Sequence, residues 1–190
     1  KILKLYEQSP GVHSFTELVG AGGYTALVKR LVEDNILEEV AKGFYRLVGQ
    51  EESAYSDLEL VAAIVPQGVF CLLSALSFHD IGTQRPFEHH LAIPYGKRPP
   101  QRPEISIQTY RFGGRSYDSG VERHGNIKVY GIAKTVADCF KFRNQIGMDV
   151  ALEALREALR GRKATIAEIM DQASVCRVKN VMMPYLESMS

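Results

Sequence analysis

The chain has little that would staple it together. Its three cysteines, Cys71, Cys139 and Cys176, are odd in number, far apart and never in a C-x-x-C pair. That spacing argues against a disulfide framework or a zinc knuckle and fits a reducing cytoplasm. No run of 18 apolar residues is present, and no charged-then-apolar leader, so neither a membrane helix nor a signal peptide is expected. P-loop, G-x-G-x-x-G and G-x-S-x-G patterns are all missing. The glycine cluster at 20–23 follows a helical pattern rather than a strand, which speaks against a phosphate cradle. There is no internal repeat and no low-complexity tract. Net charge is close to zero, at +1, so no gross polyelectrolyte partner is signalled. The chain starts at Lys1 without a methionine and is already in an apolar helical pattern, so further residues are expected ahead of it.

What is present is enough to fold. Hydrophobic residues make up 45% of the 190 positions, which allows a core and one large or two small domains. The stretch 14–48 is the most informative. Ser14 with Glu17 is a capping box that opens a short helix. Gly20, Gly22 and Gly23 break it. Tyr24, Leu27, Val28, Leu31 and Val32 then recur at helical spacing, and Asn35 suits a left-handed helix end. Residues 36–40 and 44–48 are two β-prone runs joined by a tight turn at Lys42-Gly43. Helix, turn, helix and hairpin in this order predict a winged helix-turn-helix, whose usual use is DNA binding.

Residues 1–50 hold six Lys/Arg and six Asp/Glu, so DNA binding would need locally gathered cations rather than net charge. The candidate contacts are Thr25, Lys29 and Arg30 on the second helix, and Lys42, Tyr45 and Arg46 in the hairpin. Glu33, Glu38 and Glu39 would then have to point elsewhere. The same elements also suit a protein-interaction module that binds DNA poorly.

Residues 49–56 are polar and aperiodic and read as a linker. Residues 57–65 form a helix stopped by Pro66, and 69–79 read as one buried helix. Strands are expected at 87–94 and 104–112, with a hairpin of 121–124 and 127–130 around Gly125-Asn126. Helices follow at 133–143 and at 148–160, the latter closed by Gly161 as the left-handed residue. A second capping box, Thr165 with Glu168, opens another helix. The expected class is α+β: a winged helix over 1–50, then at 55–190 an α/β domain with a small sheet of about four strands and a helical C-terminal end.

Chemistry is thinly represented. His89 and His90 are strand neighbours and point to opposite faces, so they cannot easily share a metal. Ser74 near His79 reads as a small packed residue. No catalytic residue, metal or cofactor is expected, although a nuclease-like enzyme using Glu88, His89 or His90 stays open as an alternative.

Several segments together resemble the AbiEi family, the antitoxins and transcription regulators of abortive-infection (type IV toxin–antitoxin) systems. They are 70–79 (FCLLSALSFH), 90–96 (HLAIPYG), 133–143 (AKTVADCFKFR) running into 147–155 (GMDVALEAL), 183–187 (MPYLE), and the hairpin's 42–46 (KGFYR). Their order and spacing cover nearly the whole chain. The resemblance implies a cytoplasmic regulator whose winged helix binds a double-stranded operator near its own promoter. It also implies a C-terminal domain that counteracts a nucleotidyltransferase-type toxin in phage defence without a stable complex. Lys97, Arg98, Lys134, Lys141 and Arg143 are the candidate antitoxin surface, and a monomer or weak dimer without membrane contact is expected.

Overall fold

The computed structural model describes residues 1–49, 53–98, 102 and 105–188. Among the described residues the protein is a mixed α+β chain with two sheets, and it divides into two compact units. One comprises residues 1–66 with 125–127; the other comprises 67–124 with 128–190. The division falls beyond the linker expected at 49–56, of which residues 50–52 lie outside the described residues.

In the first unit, α1 (Ile2–Gln8) buries Ile2 and Tyr6. The two-residue strand β1 (His13–Ser14) leads into α2 (Phe15–Gly20) through the expected capping box. The Ser14 hydroxyl accepts the Glu17 amide at 3.3 Å, and the Glu17 carboxylate accepts the Ser14 amide at 2.8 Å. The turn after α2 needs its glycines. Gly22 sits at φ +89°, and a Cβ on Gly23 would lie 2.7 Å from the Leu18 carbonyl oxygen. The chain re-enters helix as α3 (Thr25–Glu33). Val28 is buried and Leu27, Leu31 and Val32 are partly buried against a cluster of Ile2, Tyr6, Leu18 and Leu37. Asn35 takes φ +56°, and the amides of Asn35 and Ile36 return to the Val32 and Leu31 carbonyls. These reverse bonds satisfy carbonyls the helix end would otherwise leave open.

Strands β2 (Leu37–Ala41) and β3 (Phe44–Leu47) pair antiparallel, and β1 adds to the other edge of β3. Helix α4 (Ser56–Ile64) belongs to the same unit and packs on β1 and β3. A fragment starting at residue 55 would therefore carry α4 away from its partners.

The second unit holds β4 (Val69–Phe70), α5 (Leu72–Phe78), β5 (His89–Pro94), β6 (Ile107–Phe112), α6 (Arg115–Asp118), β7 (Val121–His124) and, from Lys128 on, β8 (Ile127–Tyr130). Then come α7 (Ile132–Lys141), α8 (Arg143–Ile146), α9 (Met148–Arg160), α10 (Ile166–Cys176) and α11 (Lys179–Glu187). Among the described residues the sheet runs β6-β5-β4-β8-β7, one strand more than expected. The extra strand comes from 69–79, which is not one helix. Val69 and Phe70 pair with Ala92 and Leu91, and Leu72 at φ +47° then starts the helix. Helices α5, α7, α9 and α10 supply much of the core, and all three cysteines lie in it as free thiols.

Two helix ends depart from expectation. Gly161 remains right-handed, and Arg162 takes the left-handed place at φ +51°. The amides of Arg162 and Lys163 bond back to Leu159 and Ala158, so the closing motif is displaced by one residue. The helix expected through Arg143 ends at Lys141, and α8 follows as a separate turn. Thr165 and Glu168 form the second capping box as expected.

Candidate nucleic-acid interface

Helix α3 has two unlike faces. Its apolar side is fixed by Val28, which is 2% exposed. Thr25, Ala26, Lys29, Arg30 and Glu33 lie on the exposed side. The Arg30 Nε stands 3.5 Å from Asp34 Oδ2, with both side chains more than half exposed. Such a pair contributes about 0–1 kcal/mol and is readily exchanged for another anion. Tyr24, expected on the apolar face, is instead 61% exposed. It is the residue preceding α3, at φ −150° and ψ 163°. An extended residue does not follow the helical rotation, so spacing misassigns it, and it joins the exposed end of α3.

In the hairpin, carboxylates stand against two of the candidate contacts. Lys42 is exposed at the turn. Arg46 sits opposite Glu38 in the strand register, and its Nε and Nη2 both lie 2.7 Å from Glu38 Oε1. The Arg46 side chain is only 15% exposed. Tyr45 donates its hydroxyl to Glu39 Oε1 at 3.3 Å, and Glu39 also accepts the Gly43 amide at 2.7 Å. Burial, with the Glu39 carboxylate beside it, pushes the Tyr45 phenol up, so it stays protonated and neutral. Glu38 and Glu39 thus do not point away: Glu38 engages Arg46, and Glu39 engages the Tyr45 phenol. Underneath, Tyr6 donates to the Tyr45 carbonyl at 2.9 Å and fixes the hairpin on the helical layer.

In the second unit the five candidate cations do not form one surface. Lys97 and Arg98 are exposed in the turn after β5. Lys141 and Arg143 are half-buried; Arg143 donates to the Phe140 carbonyl at 2.8 Å. Lys134 is not a surface residue at all. Its side chain and that of Asp138 are both 0% exposed and meet at 2.5 Å, one helical turn apart. The ammonium lies over the Tyr130 ring at 4.1 Å and the Phe112 ring at 4.7 Å, and Cys176 donates its thiol to Asp138 at 3.2 Å. Burial raises the Asp138 carboxyl above the ordinary range, partly opposed by Lys134 and by the Cys176 thiol. Residues 134–140 are all buried, so α7 has no outward stripe there.

The histidine strand is divided as the alternation requires. His90 is buried, while His89 is half-buried. Ser74 accepts the His90 amide at 2.9 Å, a packing role. Burial lowers the His90 imidazole to about 4, so it is neutral near pH 7. Among the described residues no three His, Cys, Asp or Glu side chains converge as a metal cluster, and no helix is long and apolar enough to cross a membrane.

No protein-family model and no curated protein sequence matches the chain. The crystal structure of the RV2827C protein from Mycobacterium tuberculosis is similar in fold. It has a TM-score of 0.57 and 13% identity, over 91% of this chain and 69% of that one. At that identity the likeness concerns the fold alone.

Proposed function

We propose that the chain is a DNA-binding transcriptional regulator of the AbiEi antitoxin type, with the first unit acting as a winged helix. The observation that carries this reading is α3. Its apolar face is anchored on α1, α2 and β2, while Thr25, Lys29 and Arg30 stand on the exposed side beside Tyr24. A helix held this way, followed by an antiparallel hairpin, has the form used to enter a major groove. Lys42 is exposed at the hairpin turn, within reach of a flanking phosphate, and Arg46 would have to leave Glu38 to join it. The operator is double-stranded DNA upstream of the chain's own gene. Repression of that promoter is coupled to neutralisation of a nucleotidyltransferase-type toxin by the second unit, with the exposed Lys97 and Arg98 as the first contacts and the half-buried Lys141 and Arg143 as separate ones. Lys134 drops out of that surface because it is buried.

A mobility shift of the full chain on its upstream DNA tests the first half: a discrete shift that survives competitor DNA is expected. Co-expression with a neighbouring nucleotidyltransferase tests the second, with growth restored by the chain. The carboxylates on Arg46 and Tyr45 favour a second reading, a protein-interaction module with little DNA affinity. Toxin neutralisation without any shift would select it.

A further inference from the structure

The second unit also contains a cavity of about 870 Å³, of whose lining the regulator reading uses Lys141 alone. Its volume falls within the range of small-molecule sites, roughly 300–1,000 Å³. Three different elements each deliver one cation to its lining: Arg115 from the start of α6, Lys141 from the end of α7 and Arg177 from the end of α10. Among the described residues one carboxylate, Asp171, lines it with them. A cleft lined mainly by one sign of charge favours a ligand of the opposite sign. Lys141 is pre-positioned, because its ammonium donates to the Ser116 hydroxyl at 3.3 Å and rests 5.1 Å from the Phe112 ring centre.

Tyr95 adds an aromatic wall. Its ring lies so close to Gly113 that a Cβ there would approach it at 2.8 Å, yet the residue is 72% exposed. The backbone of Gly113 therefore supports a ring that stays accessible to a partner. An open ring beside gathered cations is the pairing that holds a base by stacking and its phosphates by charge.

We propose that this cavity binds a nucleoside polyphosphate, its base on Tyr95 and its phosphates on Arg115, Lys141 and Arg177. Free inorganic phosphate would leave Tyr95 without a role. Single-stranded nucleic acid would need cations tracking a groove rather than gathered in one cavity.

Calorimetric titration of the full chain with ATP, tripolyphosphate and adenosine, all at one ionic strength, tests this. ATP is expected to bind tighter than tripolyphosphate by ~10-fold, the value of one stacked base. Adenosine should bind more weakly than either. Arg115→Gln with Arg177→Gln should weaken ATP by ~10-fold or more, since each removes a charge-assisted hydrogen bond. Tyr95→Leu should bring ATP down to the tripolyphosphate level and leave tripolyphosphate unchanged. Arg115, Arg177 and Tyr95 are exposed, so unchanged thermal melting is expected of these variants. No heat with ATP up to millimolar concentration, or ATP binding unaltered in the double variant, would overturn the assignment. An oligothymidylate binding tighter than ATP through the same two arginines would overturn it in favour of single-stranded nucleic acid.

Discussion

Helices α3 and α7 carry lysines that look alike in the sequence and are treated oppositely by the fold. On α3, Lys29 and Arg30 fall outside a narrow apolar stripe and remain exposed. On α7, Lys134 has the same kind of apolar neighbours but is fully buried and clamped to Asp138. The difference lies in what surrounds each helix. α3 is covered on one side only, by α1, α2 and β2. α7 is packed on by α5, α9 and α10 and faces the rings of Phe112 and Tyr130, so even its polar positions are enclosed. A lysine on a one-sided helix is available to a ligand, whereas a lysine on an enclosed helix has to bring its own counter-ion.

That contrast is easiest to break at the buried pair. Lys134→Met should cost about 3–5 kcal/mol of unfolding free energy, because it strands the Asp138 carboxyl in the core. Adding Asp138→Leu should restore most of it, since apolar replacements of a buried pair are often neutral. Urea denaturation of the two variants would decide. A destabilisation below about 1 kcal/mol for the single change would make the pair equivalent to a surface one.

The second expected effect is a pH dependence within the same unit. The His90 imidazole is lowered from 6.5 to about 4 by burial. Its neutral form is favoured in the folded chain, so this contribution is complete above about 6.5 and fades as the pH falls toward 4. About 1–2 kcal/mol should disappear across that window, less than the whole shift implies because water reaches part of the ring. His90→Gln should remove this share of the acid sensitivity. An unchanged pH profile of stability in that variant would assign the sensitivity to other groups.

The smallest expected effect sharpens the account of the hairpin. Glu38→Gln removes the carboxylate that holds Arg46. If Arg46 then reaches a phosphate, affinity should rise several-fold on operator and random DNA alike, because binding to phosphates carries no sequence information. Anisotropy titrations on both DNAs would show it. A gain confined to the operator would instead mean that Arg46 reads a base.

How far the sequence reveals these features follows from the range of the interactions. Both capping boxes, Asn35 and the span of α9 are set by neighbours three or four residues apart, and all are legible. The two-residue strands β1 and β4 are too short to show an alternation, and distant partners define them: β3 for β1, and β5 and β8 for β4. Arg46 with Glu38 depends on cross-strand register. The burial of Lys134 depends on α10 and on rings from β6 and β8, which helical spacing alone does not reveal, although a Lys and an Asp one turn apart in an apolar run is a signal. The cavity cations Arg115 and Arg177 are 62 positions apart in the numbering and lie beyond any local pattern.

If the exposed face of α3 binds DNA as proposed, the salt dependence of binding carries its signature. Affinity of the full chain for its upstream DNA should be measured over a range of salt, beside Lys29→Ala/Arg30→Ala. Weaker binding by the variant is expected, with a log–log salt slope smaller by about 0.9 for each DNA phosphate that is no longer neutralised. A stability within about 0.5 kcal/mol of the parent is expected as well, as for other surface changes. Equal affinity and equal slope for the two proteins would contradict the proposal and remove α3 from the interface.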